Sequence, residues 1–171
     1  MATPDNTHML AAYNRWMNDK LYACAAQLTD AQRKRDLKAF FKSIHGTLNH
    51  LLVGDNLWMG RLERQPFAIT TLDAELHADF DALTAARRAM DERISAFAER
   101  VTAEWLAAPF EYRKMSGAPG AVMGWAVLTH FFQPPDSPSR PGDDVADAIW
   151  SGPGRHGHRG DARYSTKKVK R

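Results

Sequence analysis

The chain has 171 residues, with 23 Lys and Arg against 20 Asp and Glu, one cysteine, and apolar side chains at 44% of positions. That length supports a single domain with its own core, and a lone Cys24 excludes both an intramolecular disulfide framework and a thiolate-rich zinc site. Residues 1–132 carry 15 basic and 15 acidic side chains, so the whole excess of +3 lies in the last 39 residues and the body has no basic face for nucleic acid.

No N-terminal apolar run is long enough for a signal peptide or a membrane span, because MATPDNTHMLAAYNRW is broken by polar residues at every turn. A cytoplasmic protein that contacts neither membrane nor nucleic acid is the expectation. A first helix is predicted over residues 8–28, capped by Asp5, Asn6 or Thr7. Met9, Leu10, Tyr13, Trp16, Met17, Leu21, Cys24 and Leu28 recur along it at helical spacing. Cys24 lies among alanines and is expected to be inert. Residues 29–39, with Arg33, Lys34, Arg35 and Lys38, read as a solvated connector.

The second helix, over residues 40–63, is central to the chain. Phe41, Ile44, Leu48, Leu51, Leu52, Leu57, Trp58 and Leu62 give it a broad apolar face turned into a core. On its other side His50 stands one turn from Gly46 and one from Gly54, so a neighbouring helix could approach closely there. Each glycine inside a helix costs about 1 kcal/mol against alanine, which suggests that room is being kept around the imidazole. A lone histidine on such a helix is more often a hydrogen-bonded core residue than a ligand, and spacing alone leaves both readings open.

A third helix is predicted over 73–104, capped by Asp73. Its apolar residues Leu76, Phe80, Leu83, Met90, Ile94, Phe97 and Val101 alternate in steps of three and four, interrupted near residue 87. Residues 109–120 read as a short extended segment ending in a Gly/Pro turn. A fourth helix starts near Ala121, runs through Val122, Trp125, Leu128, Phe131 and Phe132, and stops abruptly. Residues 133–171 hold five of the nine prolines and five of the eleven glycines, show no helical period, and are expected to be disordered. The fold class is therefore all-α: an antiparallel four-helix bundle over 1–132 with its fourth helix cut short, followed by a basic tail over 133–171.

Four segments resemble the DinB/YfiT-like family of four-helix bundles, in order and in spacing: AAYNRWMNDKLYACAAQL, FFKSIHGTLNHLLVGDNLWMGRL, FEYR and AVLTHFF. The resemblance covers about residues 8–132. It implies a divalent metal, zinc or nickel, held by one histidine of the second helix and two of the fourth, four residues apart. The second-helix ligand maps onto His50. It also implies one of two chemistries, metal-assisted hydrolysis or transfer of a low-molecular-weight thiol to an electrophile.

The fourth helix departs from that pattern. Relatives continue from HFF into NHQTHHRGQ, whereas this chain continues into QPPDSPSRPG, which puts Pro134 and Pro138 at the two ligand positions. Proline in a helix interior costs roughly 3 kcal/mol and removes a backbone donor. Permissible codons for Gln133 to Gly142, read one base out of phase, spell Asn-His-Gln-Thr-His-His-Arg-Gly-Gln, so the tail reads as the product of a frameshift. His130, one turn before the lost pair, is the remaining imidazole of the fourth helix and reads as a supporting or core residue more than as a ligand, so His50 with His130 is at most a two-imidazole metal set. His45 and His77 lie off that site and are expected at the surface. The His156/His158 pair and the Lys167–Arg171 basic run are weak signals in any chain. A metal-dependent bundle impaired by loss of two ligands is one reading. A non-catalytic stress-response bundle that forms a homodimer through exposed helix faces is the alternative.

Overall fold

The computed structural model describes residues 3–69, 71–114 and 117–132. Pro134, Pro138 and the expected disorder of the tail lie outside the described residues. Among those residues there are six helices and one two-stranded sheet, so the chain is all-α in class, as its periodicity predicts.

Helix α1 spans Pro4–Ala26. Thr3 caps it, its hydroxyl accepting from the Asn6 N–H at 3.2 Å, and Pro4 sits in the first turn, where a missing N–H costs nothing. Its buried face carries Thr7, Ala11, Asn18, Tyr22 and Ala25. The apolar stripe that spacing picks out faces solvent instead: Met9 is 63% exposed, Tyr13 58% and Trp16 52%, and Met17, Leu21 and Cys24 are exposed beside them. Asn18 explains the rotation, because its amide donates to Asp91 at 2.8 Å inside the bundle. Small Ala11 and Ala25 on the same side then lie against the neighbouring helix.

The connector is partly helical. Helix α2, Asp30–Lys34, is held by a capping box in which Thr29 and Gln32 satisfy each other's backbone N–H groups. Arg33 is not solvated as expected: its guanidinium donates to the Ala25 and Leu28 carbonyls and lies 4.1 Å from the Phe80 ring.

Helix α3 spans Ile44–Leu62, capped by Ser43, and twelve of its nineteen residues are buried, which makes it the central helix. Helix α4 spans Phe80–Ala98 and packs on both α1 and α3. It begins seven residues later than predicted because Asp79, not Asp73, caps it, with Oδ1 accepting from the Ala82 N–H at 2.8 Å. It also ends earlier, since Thr102 starts a separate helix α5, Ala103–Ala107. The extended segment becomes a hairpin in which β1, Pro109–Arg113, pairs antiparallel with β2, Pro119–Met123. Ala121 and Val122 therefore lie in a strand, and helix α6 spans only Gly124–Phe131. Leu48, Leu52, Val53, Met59, Leu83, Ile94, Val127 and Leu128 are the least exposed large apolar side chains of the core.

Candidate functional site

His50 is 3% exposed on α3 and is held on two sides. Its Nδ1–H donates to the Leu72 carbonyl at 2.7 Å, and the Phe41 ring stacks on the imidazole with centroids 3.6 Å apart. A carbonyl can only accept, so Nδ1 carries a proton. Metal-binding imidazoles are fixed by this kind of bond to a backbone carbonyl. The room beside Gly46 is taken by the chain entering α3, not by a neighbouring helix: a methyl there would collide with the Phe41 carbonyl.

His130 reaches the same place from α6, its ring edge-on to Trp58 at 5.5 Å. His50, Gly54, Asp55, Trp58 and His130 line a cavity of about 40 Å³, close to the volume of one water or one ion. The expected pair is thus brought together. Asp55 also lines the cavity, but its carboxylate is engaged by Arg87. Among the described residues no group of three or more His, Cys, Asp or Glu is placed to hold an ion. Two imidazoles do not make the three-histidine set that the family resemblance implies.

His45, expected at the surface, is 2% exposed, and its Nε2–H donates to the His77 carbonyl at 2.8 Å. The same carbonyl accepts from Asn49 at 3.1 Å, and the Asn49 side-chain oxygen accepts from the His77 N–H at 3.0 Å. His45, Asn49 and His50 therefore clamp the loop between α3 and α4 onto one side of α3. His77 itself is half-buried and contributes its backbone to the clamp.

The polar residues that spacing missed lie one layer deeper. Arg87, 2% exposed, pairs with Asp55 of α3 and, at 2.8 Å, with Asp91 one turn along α4; Asp91 also accepts from Asn18 of α1. The signal was the interruption of the α4 stripe near residue 87, with an acid four residues on. Burial pushes the Asp55 and Asp91 carboxyls above the usual range, and Arg87 opposes that shift. Burial works against the Arg87 charge too, but the two carboxylates outweigh it and hold the guanidinium firmly protonated. The Tyr22 hydroxyl, buried beside them, is also raised, chiefly by desolvation.

These features define a helical bundle that sets an imidazole from its central helix against one from its last helix, next to a buried charge network. No helix among the described residues is long and apolar enough to cross a membrane. The DinB family profile matches residues 1–134, most of the chain, and the chain belongs to the DinB family. No curated protein and no solved structure matches it at a significant level.

Proposed function

We propose that this chain is a DinB-family bundle whose divalent-metal centre is reduced to His50 and His130, leaving it a weak binder of zinc or nickel in the cytoplasm. The observation that carries this reading is the His50 ring, buried, stacked on Phe41 and bonded through Nδ1 to the Leu72 carbonyl, on the cavity it shares with His130. Pro134 and Pro138 supply no side-chain donor in place of the missing pair, and the family's hydrolytic or thiol-transfer chemistry is correspondingly impaired. The test is metal retention after dialysis against micromolar zinc or nickel. The chain as it stands retains well under one equivalent, restoring the NHQTHHRGQ continuation returns one equivalent, and His50→Ala in the restored protein removes it again. Stoichiometric metal in the present chain, or retention indifferent to His50→Ala, overturns the proposal. The coding DNA tests the frameshift separately: a single-base change near codons 132 and 133 must restore the motif.

A second reading, a homodimer without catalysis, is favoured by the outward stripe of Met9, Tyr13, Trp16, Met17 and Leu21 on α1. An apolar face of this kind on one helix marks an interaction surface. Light scattering with size exclusion tests it: a dimer that Trp16→Glu converts to monomer supports the reading, and a monomeric wild type refutes it.

A further inference from the structure

A cleft of about 870 Å³ opens between the C-terminal end of α3, the loop that follows it, and the β1–β2 hairpin. Among the described residues its walls combine Phe67 and Tyr112 with four cationic residues, Arg61, Arg64, Arg113 and Lys114, against Glu111 as the one acidic lining residue. Arg61 is the informative member. Its guanidinium is sandwiched toward Trp58 and Tyr112, 4.9 Å and 5.6 Å from the ring centroids, and its Nη1 is buried with no acceptor among the described residues. Burial pulls its pKa below the ordinary arginine value, as expected of a cation held without a carboxylate. The carboxylate nearest in sequence is already used: Glu63 takes Arg93 at 2.8 Å and Arg100 at 3.0 Å, both from the α4 side.

The positions of the walls are maintained with care. The Tyr112 ring lies across Gly120, its partner in the hairpin, so closely that a methyl at Gly120 would sit 2.7 Å from the ring. Arg64 occupies the left-handed position that ends α3, φ 56°, where glycine is usual, and the Gln65 N–H closes back onto the Gly60 carbonyl at 2.8 Å. A side chain is thus kept at the cleft edge where the backbone alone would favour none.

The geometry points to a binding site for a small anion with an apolar body, an aromatic carboxylate or phosphate ester, its charged group at Arg61 and its ring against the apolar lining of the cleft. A guanidinium offers paired donors to such groups, and aromatic walls supply the apolar contact. The site is separate from the His50/His130 cavity, with Trp58 standing between them, and needs no metal.

The test is calorimetric titration of the full chain, in the presence of a chelator, with 2-naphthoate, with its uncharged amide, and with inorganic phosphate. Naphthoate binds, the amide binds at least about tenfold more weakly, since a charge-assisted bond is lost, and inorganic phosphate binds more weakly than naphthoate. Arg61→Gln lowers naphthoate affinity at least about tenfold, and Arg61→Lys restores part of it. Equal binding of naphthoate and its amide, no naphthoate binding at millimolar concentration, or affinity unchanged in Arg61→Gln overturns the inference. If Arg61→Gln does not fold, the comparison of acid and amide on the wild-type chain decides.

Discussion

Replacing Arg87 with methionine removes the cation from a network in which it and Asp91 are both shut away from solvent. Arg87 and Asp91 are each 2% exposed, and Asp55 pairs with the same guanidinium. The methionine keeps most of the volume, so the loss is chiefly electrostatic: Asp91 retains Asn18 as a donor but must carry its charge unpaired in the core. Breaking a buried pair in this way costs roughly 3–5 kcal/mol, a large share of the about 5–15 kcal/mol that holds a domain together. For a chain of this size that corresponds to a fall in Tm of roughly 6–20 °C. Urea unfolding followed by circular dichroism at neutral pH measures it. Adding Asp91→Asn to Arg87→Met should return part of the loss, because the stranded charge is gone. A cost below about 1 kcal/mol for Arg87→Met, or no recovery in the double variant, would mean that the guanidinium is not paired in solution.

Asp91→Asn on its own gives a pH test with a defined sign. Burial raises the Asp91 carboxyl above its ordinary 3.8, so the folded state favours the protonated form; the stability this contributes is complete below that value and is lost as pH rises through the raised one. The urea midpoint of wild type relative to Asp91→Asn should therefore fall from about pH 4 towards neutrality, and a relative rise would refute it. Asn49→Ala removes the 1%-exposed amide that grips His77. It should cost about 1–3 kcal/mol and speed hydrogen exchange at the His77 amide while Leu52 stays protected; equal acceleration at both sites would show that the loop is not clamped independently.

The α3 and α4 stripes were legible because one face of each is nearly uniform: Leu48, Leu52 and Leu62 on one, Leu83, Met90 and Ile94 on the other, all buried. The α1 face was not. Its burial is decided by Asn18 seeking Asp91, so the helix turns its aromatic stripe outward and its alanines inward. Hydrophobic ranking along one segment cannot register a hydrogen bond to a residue 73 positions away. The start of α4 was misplaced for a related reason. Residues 72–77 look able to begin a helix after Asp73, but the Leu72 and His77 backbones are bonded to His50, His45 and Asn49. The family resemblance points to His50 but puts its other two ligands at positions 134 and 138, so His130 is reached only as the imidazole remaining on the last helix, and the anion cleft has no linear signature at all, since its cations come from α3, the loop after it and the hairpin.

The charge network also limits how the helices can slip past one another. An apolar seam such as Leu83, Met90 and Ile94 could be shifted along α3 by one turn, about 5.4 Å, and still bury leucine against leucine. Arg87 could not follow, because that displacement would strand it away from Asp55 while Asp91 stayed fixed to the same helix. Alignments of α4 on α3 that differ only by a slide are thereby excluded, which narrows the alternatives the chain can visit while it folds. The residues that interrupt the hydrophobic repeat are thus the ones that make its alignment unique.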